Sequence, residues 1–282
     1  MRMREIGKRA AVGFLAGVIA LGLFACSDGK TALPKGTAEL GKIQAVTRES
    51  KSGTRASFDD LIGIVSEADG LTEADSTGKM LETVKGGKAA IGYLTQDALT
   101  DEVKALTVGG KKTDDSGYPL TRRLYLVYKG TPSDLEQEFL TFVTGKGQAI
   151  VEKSFEPVKE VASFLSMKPA GSLRITGSSS EAPVMEKLAA SYMKENPNAK
   201  ITVETSDSGS GIRDALEGRC DLGMSSRNPK SYEKDLLTFT PVAKDRIAVI
   251  VQKENPLSDI SVDQLKDIYS GTAEKWSDLA GK

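Results

Sequence analysis

Short apolar runs alternate with amphipathic segments along the chain from residue 42 onward. Between residues 182 and 195 the apolar side chains recur every three or four positions, which is the spacing of one helix face. Strands are predicted at 43–47, 89–94, 103–108, 123–128, 173–176, 200–204, 220–224 and 246–252. Helices are predicted at 57–65, 78–84, 134–143, 148–153, 182–195, 212–216 and 262–269. The alternation predicts an α/β protein with mainly parallel sheets.

The first 26 residues differ from the rest and resemble a targeting segment. Residues 2–9 carry four basic side chains against one acidic side chain, and an uncharged stretch follows at 10–25. This stretch is short for a membrane-spanning helix and has the flanks of a secretory signal. It ends in Leu-Phe-Ala-Cys at Cys26, which resembles the bacterial lipobox, whose cysteine is lipidated and becomes the first mature residue. We therefore predict a signal peptide at 1–25 and a tether at 26–41; the alternative is a short membrane anchor.

The composition removes several classes of function. The 282 residues are 39% hydrophobic and 27% charged, which is ordinary for a globular protein. The chain has no histidine and two cysteines, which excludes Ser-His-Asp and Cys-His nucleophiles and histidine-bound zinc or haem. We expect no cofactor and no metal. Removal of residues 1–25 would change the formal net charge from −1 to −4, so no nucleic-acid partner is expected. If the protein binds an anion, the local arrangement of donor groups must supply the attraction, because the overall charge is negative.

Three loops rich in serine and glycine lie where a predicted strand leads into a predicted helix. Their sequences are TRESKSGTR at 47–55, GSSSEAP at 177–183 and SDSGSGI at 206–212. Free backbone N–H groups and the helix dipole favour an anion at such a junction. Serine and threonine are also common N-caps, so each loop alone is better explained as a cap. Three such loops, one of them carrying Arg48, favour an oxyanion site.

Two Ser-x-x-Lys matches suggest a different chemistry. They begin at Ser76 and Ser231 and resemble the motif of penicillin-recognising enzymes. No Lys-Thr-Gly partner accompanies them, so a Ser/Lys envelope hydrolase stays a remote alternative.

Several segments resemble the phosphate ABC-transporter substrate-binding lipoproteins. They are VTRESKSGTRASF, GSSSEAP, ITVETSDSGSGIRDALEGRCDLGMSSR, IAVIVQKENPLSDISVDQLKDIYSGTAEKWSDL, GYPLTRRLYLVYKG and FLTFVTGKGQAIVEKSFEPV. The resemblance covers nearly all of residues 41–168 and 173–282. The resemblance implies a two-lobed type II periplasmic-binding-protein fold and no enzymatic activity.

The segments stand in an unexpected order. In the family the GSSS segment opens the mature protein and the Arg-x-x-x-Ser-Gly-Thr loop follows KWSDL, whereas here the second half comes first. We interpret this as a circular permutation in which residues 160–172 join the old termini. It implies a discontinuous lobe A at 42–114 plus 242–282, and a continuous lobe B at 115–241. The alternative is a fragment of a tandem binding protein.

The resemblance also implies a binding site between the lobes. Carried over residue by residue, the anion contacts of lobe A fall on Arg48, Ser52, Gly53 and Thr54. Those of lobe B fall on Ser179, Ser180, Ser208 and Ser226. Some family members have an aspartate where this chain has Ser226, so discrimination against sulfate is less certain here.

These features together predict a function. We expect a lipid-anchored protein on the extracytoplasmic face of the cell membrane that captures inorganic phosphate and delivers it to the permease subunits of an ABC transporter. The alternative is a binding protein or sensor for another oxyanion.

The lipobox gives the first testable prediction. Cys26→Ala removes the sulfur that would carry the lipid, so the protein should remain uncleaved or be shed from the membrane. Membrane fractionation and the mass of the N-terminal peptide measure this. Unchanged fractionation together with an unchanged peptide mass would contradict the lipobox interpretation.

Overall fold

The computed structural model describes residues 33–280 as an α/β protein. The signal peptide, Cys26 and the first part of the tether lie outside the described residues. Twelve strands are assigned in this part of the chain: β1 Gln44–Arg48, β2 Thr72–Ala74, β3 Ala90–Thr95, β4 Val103–Ala105, β5 Thr107–Val108, β6 Thr121–Tyr128, β7 Glu156–Pro157, β8 Gly171–Ser178, β9 Ala199–Ser206, β10 Leu222–Ser225, β11 Thr238–Gln252 and β12 Asp259–Ile260.

Eight α-helices lie between these strands in the described residues. They are α1 Gly53–Ile62, α2 Thr77–Gly86, α3 Asp134–Val143, α4 Gln148–Val151, α5 Ala182–Glu195, α6 Ser208–Leu216, α7 Ser231–Lys234 and α8 Val262–Tyr269. Short 3-10 turns are found at Ala38–Leu40, Gln96–Ala98 and Trp276–Leu279. No helix between residues 33 and 280 is both long and apolar enough to cross a membrane.

One long strand joins two halves of a single sheet. The strands lie in the order β2-β1-β3-β11-β6-β10-β8-β9, and β4 and β7 also pair with β11. The first part of β11 pairs with β6 as far as Arg246, and the part from Ile247 pairs with β3. We call the half containing β1–β4 lobe A and the half containing β6–β10 lobe B. The residue limits of the lobes given by the sequence remain a prediction.

Each lobe buries both faces of its part of the sheet. Along β11, Ile247, Val249 and Val251 enter one core of lobe A, and Ala248 and Ile250 enter the core on the opposite face. This is the alternation that a strand buried on both faces requires. In lobe B the residues of β6 alternate in the same way between two cores.

An aromatic cluster fixes α1 against the sheet of lobe A. The ring of Phe58 stacks on Tyr93 with centroids 3.9 Å apart and meets Tyr269 edge-on at 4.9 Å. The Tyr269 hydroxyl donates a hydrogen bond of 3.1 Å to the carbonyl of Val46 in β1. The cluster therefore holds the end of β1 and the start of α1, and with them the loop between them.

Two helices begin earlier than the apolar spacing indicates. The predicted helix 57–65 starts at Gly53, and the predicted helix 212–216 starts at Ser208. The hydroxyl of Ser52 accepts from the backbone N–H of Arg55, and the carboxylate of Asp207 accepts from that of Ser210. These N-caps set the first turns, where glycine and serine give no apolar pattern.

The strand predicted at 246–252 also begins earlier, at Thr238. The first part of this strand contains Pro241 and three consecutive charged residues, Lys244 to Arg246. It therefore lacks the run of apolar residues that would indicate a strand. The register with β6 shifts between Pro241 and Ala243, and such a bulge tolerates a proline.

The two ends of the described chain contact each other. The backbone N–H of Trp276 donates to the carbonyl of Gly41 at 3.0 Å, and that of Ile43 donates to Glu274 at 2.8 Å. The last residues of the predicted tether are therefore packed against lobe A. This contact is what a permuted chain requires, because the segments at 273–280 and 41–43 are then neighbours; the permutation itself remains a prediction.

Close packing of α6 on β10 gives a second prediction. A Cβ on Gly223 would collide with the backbone carbonyl of Gly211 in α6. Gly223→Ala should therefore lower the free energy of unfolding by about 1–3 kcal/mol, the usual cost of overpacking. Gly86→Ala is the matched control, because a Cβ there meets nothing within 4 Å. Urea denaturation measures both variants, and equal stability of the two would contradict the packing argument.

Candidate functional site

The three predicted loops meet at the junction of the two lobes. Arg48 ends β1, and Gly53 and Thr54 open α1 from lobe A. Lobe B contributes the loop between β8 and α5, the first residue of α6 and the residue after β10. The parallel pairs β1–β3 and β8–β9 direct their carboxyl ends to this junction, where α/β proteins bind ligands. The structure thus brings together all eight residues that the resemblance implies.

Arg48 is the charged centre of the cluster. Its side chain is 2% exposed, and Nε and Nη2 donate to the two carboxylate oxygens of Glu49 at 2.8 and 2.9 Å. Nη2 also donates to Ser179 Oγ at 3.2 Å, and Nη1 to Thr77 Oγ1 at 3.3 Å. The carbonyl of Ala74 accepts a further bond from Nε at 3.2 Å. A buried guanidinium must be paired in this way, because an unpaired charge is costly away from water.

Two hydroxyl pairs lie at the junction, one between the lobes and one within lobe B. Thr54 Oγ1 and Ser180 Oγ lie 2.8 Å apart, and Ser208 Oγ and Ser226 Oγ lie 3.2 Å apart. The Ser208 hydroxyl also accepts from the backbone N–H of Ser226 at 3.0 Å. A Cβ on Gly53 would collide with both of these serine hydroxyls, so only glycine permits this approach.

The three helix starts differ in how their backbone donors are satisfied. Ser52 caps α1 and Asp207 caps α6 through their side chains. The residue at the cap position of α5, Glu181, makes no such bond. The start of α5 therefore has no side-chain cap that would compete with an anion, although Pro183 in its first turn has no N–H group to donate. The hydroxyl of Ser52, by contrast, serves as an N-cap.

Thr77 is a member of the cluster that the sequence did not indicate. It is the first residue of α2, and its hydroxyl lies 3.3 Å from Arg48 Nη1 and 3.2 Å from Ser179 Oγ. Its sequence signal is the helix start at Ser76-Thr77-Gly78, which lies within one of the two Ser-x-x-Lys matches and does not by itself indicate an anion site.

A second buried ion pair lies under the cluster, where β6 and β11 cross from lobe to lobe. Arg122 and Asp245 face each other in the register of these strands, and Arg122 Nε donates to Asp245 Oδ2 at 2.8 Å. Arg122 Nη1 also donates to the carbonyl of Ser226 at 3.2 Å. Ser57 of lobe A donates to that same carbonyl at 3.0 Å. The backbone of Ser226 is therefore held from both lobes.

Glu181 is a buried carboxyl beside the site. Its side chain is fully buried, and neither oxygen has a hydrogen-bond partner in the described part of the chain. The backbone amides of Ser225 and Tyr125 are close enough to favour its charged form. Burial nevertheless raises the pKa of Glu181 well above its usual range, against the opposing effect of Arg122.

The serine–lysine motifs do not form a catalytic pair. Ser76 is the N-cap of α2, where its hydroxyl accepts from the backbone N–H of Lys79, and the Lys79 ammonium bonds to Glu82 at 3.0 Å. Ser231 is exposed at the start of the four-residue helix α7. The Ser76 hydroxyl donates to the carboxylate of its neighbour Asp75 at 3.1 Å. Within residues 33–280 the lysine of neither motif bonds to the hydroxyl of its serine, which is the contact that a serine–lysine nucleophile needs.

The sequence and the fold match known binding proteins. A family model described as a PBP superfamily domain matches residues 30–146 and 165–282. Phosphate-binding protein PstS 2 of Streptococcus agalactiae serotype V (strain ATCC BAA-611 / 2603 V/R) is 36% identical over an alignment of 286 positions, which covers 94% of this chain and 96% of that protein. PstS 2 of Streptococcus pneumoniae serotype 4 (strain ATCC BAA-334 / TIGR4) is 35% identical over 297 residues, covering 99% and 100%.

A solved structure agrees with these relatives. It is a phosphate ABC transporter, phosphate-binding protein from Streptococcus pneumoniae TIGR4, with a TM-score of 0.68 and 36% identity over 85% of this chain and 100% of that one. The molecule therefore has the two-lobed α/β fold of a substrate-binding protein. The chain belongs to the PBP superfamily and, within it, to the PstS family. Because the streptococcal alignments run along nearly the full length of each chain, those relatives share its order of segments.

The buried Glu181 gives a prediction on pH. Its folded-state pKa lies above the unfolded value of about 4.3, so the folded protein holds this proton more tightly and loses stability as pH rises above that value. Glu181→Gln removes this loss. The free energy of unfolding of the variant, relative to the unmodified protein, should therefore increase from pH 5 to pH 8.

Glu186→Gln provides the control for this experiment, because Glu186 is exposed on the same helix. Urea denaturation at the two pH values measures the differences. A stability difference for Glu181→Gln that does not change with pH would show that this carboxyl is ionised in the folded protein.

Proposed function

We propose that this protein captures inorganic phosphate between its lobes, outside the cytoplasm, and delivers it to an ABC importer. The observation that carries the proposal is the convergence of Arg48 with four hydroxyl groups and the uncapped start of α5 at one closed junction. The names of the full-length relatives, which are phosphate-binding proteins, support the same ligand.

The donors of the site match a tetrahedral oxyanion. Arg48 supplies the charge-assisted contact, and the hydroxyls of Thr54, Ser179, Ser208 and Ser226 can each donate one bond. Gly53 and Ser180 present backbone N–H groups at the starts of α1 and α5. No lysine takes part, so the selectivity of the site depends on directed hydrogen bonds and one fixed fork.

Closure of the lobes follows from the same contacts. In the structure Arg48 bonds to Ser179 and Thr54 to Ser180, and each of these bonds joins lobe A to lobe B. An anion placed among these groups would replace the direct bonds with bonds through its own oxygens. Phosphate would then favour the closed state, because only that state presents donors from both lobes.

Glu49 offsets the positive charge of Arg48 in the site. Its carboxylate holds two of the Arg48 nitrogens, and burial raises the pKa of Glu49 above its ordinary value. A dianion must share the Arg48 guanidinium with this carboxylate. The net charge of the pair is close to zero, so directed hydrogen bonds have to supply most of the affinity.

The selectivity for phosphate over sulfate depends on an acceptor for the proton of hydrogen phosphate. The family resemblance implies that an aspartate can stand at the position of Ser226, and the Asp207 carboxylate is occupied by the backbone N–H and hydroxyl of Ser210. A hydroxyl can accept that proton as well as donate its own. A second oxyanion therefore remains the alternative ligand, and parallel titration with phosphate and sulfate distinguishes the two.

The mode of attachment belongs to the same proposal. An importer of this kind receives its substrate from a binding protein on the extracytoplasmic face of the membrane. The lipobox at Cys26 would hold the protein there through a lipid, and the residues after Cys26 would serve as a tether between that lipid and the folded lobes.

Replacement of Arg48 tests the proposed function. A hydrogen bond to a charged group contributes roughly 1.5–3 kcal/mol, so Arg48→Ala should weaken phosphate binding by roughly tenfold to a hundredfold. Arg48→Lys should restore only part of the loss, because an ammonium lacks the planar fork. Ser208→Ala should cost about two- to tenfold. Isothermal titration calorimetry measures all three variants.

Arg174→Ala is the matched control, because this exposed arginine pairs with Glu204 away from the junction. It should bind phosphate like the unmodified protein. Wild-type affinity in Arg48→Ala would mean that the anion binds elsewhere and that the three loops serve only as helix caps.

A further inference from the structure

A groove of about 340 Å³ lies outside the binding site, where α1 of lobe A faces α6 and α7 of lobe B. Its inner end is formed by Ser52 and Gly209. These residues are the chain neighbours of Gly53 and Ser208, which meet inside the site. The inner end of the groove therefore adjoins the buried cluster.

Basic side chains dominate the groove. Lys51, Arg213 and Lys230 line it and are exposed, and within residues 33–280 none of their three side chains forms a salt bridge. The backbone N–H of Lys230 donates to the Glu233 carboxylate at 2.8 Å, and the charge of Lys230 helps to lower the pKa of Glu233. Arg213 donates only to the hydroxyl of Ser210 at 3.3 Å. Arg227 also lines the groove, but its charge is compensated by two bonds to Glu233, of 2.8 and 2.6 Å. The nearby Asp207 carboxylate is used as the cap of α6.

Apolar side chains form a large part of the groove wall. Ile212, Leu216, Leu236 and Leu237 lie between the basic side chains. Walls of low dielectric reduce the screening of neighbouring charges and focus their field along a cleft. The groove thus concentrates positive potential on a protein whose mature form would carry a formal net charge of −4.

A single backbone contact closes the inner end of the groove. The N–H of Gly209 donates to the carbonyl of Lys51 at 3.1 Å, which joins lobe B to lobe A directly beside the site. A Cβ on Gly209 would press against Lys51. An anion in the groove therefore stands immediately outside the contact that has to open before it can enter.

We infer that the groove lined by Lys51, Arg213 and Lys230 is the encounter site for the anion, which it attracts from solvent and presents to the cleft. This inference rests on the proposed function and adds the route by which the ligand arrives. The ligand class is a small free oxyanion, with inorganic phosphate as the probe. The three side chains lie outside the cluster of directed donors, so they act mainly on the rate of association and little on the rate of dissociation.

The test is the association rate of Lys51→Gln/Arg213→Gln/Lys230→Gln with inorganic phosphate, measured by stopped-flow fluorescence of labelled protein. At about 0.01 M ionic strength, where the Debye length is about 30 Å, the association rate should fall roughly tenfold. At about 1 M, where that length is about 3 Å, the difference should disappear. The dissociation rate should change less than about twofold, since mutated rim charges act mainly on association.

Lys187→Gln/Lys194→Gln/Lys200→Gln is the matched control. It makes the same change in net charge with exposed lysines, of which Lys194 and Lys200 lie at the far ends of α5 and β9. It should keep the association rate of the unmodified protein. Single Lys51→Gln and Lys230→Gln variants should show smaller decreases in the association rate. They provide the same test if the triple variant does not fold.

Two outcomes would overturn the inference. One is an equal association rate in the groove and control variants at low ionic strength. The other is an unchanged association rate with a loss of phosphate uptake in proteoliposomes that contain the importer, which would make the groove a transporter-docking surface. Absence of phosphate binding in the unmodified protein would instead contradict the proposed function.

Discussion

The burial of one arginine at the junction of two lobes constrains the rest of the structure. Arg48 is 2% exposed, so each of its N–H groups needs a partner away from water. Glu49 and Thr77 supply partners from lobe A, and Ser179 supplies one from lobe B. Each of the three guanidinium nitrogens has a partner in lobe A, and within the described residues the bond from Nη2 to Ser179 joins the guanidinium to lobe B. A ligand that offers better acceptors can replace that bond and so control the contact between the lobes.

The strands that connect the lobes carry the second constraint. β11 passes from one half of the sheet to the other, and the buried pair of Arg122 with Asp245 sits at the crossing. Arg122 also holds the carbonyl of Ser226, and Thr95 of lobe A donates to Asp245 at 2.9 Å. The crossing is thus tied to the binding cluster by hydrogen bonds, which links the relative position of the lobes to the geometry of the site.

The sequence was sufficient to predict the local parts of this arrangement. The α/β class followed from apolar periodicity, and the three loops followed from serine and glycine placed between a strand and a helix. Their assembly into one site came from the family resemblance. Thr77 was missed because one hydroxyl at a helix start has no distinctive spacing. Arg122 and Asp245 were missed because residues 123 positions apart become neighbours only through strand pairing. Glu181 was unremarkable in sequence and becomes unusual through complete burial.

The protein binds phosphate through the arrangement of the donors in its site and not through an overall positive charge. The most direct test of this account is a crystal structure of the purified protein grown with inorganic phosphate. We expect one tetrahedral anion between the lobes, within about 2.7–3.2 Å of the Arg48 guanidinium, the backbone N–H of Ser180 and the hydroxyl of Ser208. An anion bound elsewhere, or a junction that keeps its direct Arg48–Ser179 and Thr54–Ser180 bonds with phosphate in excess, would contradict the account.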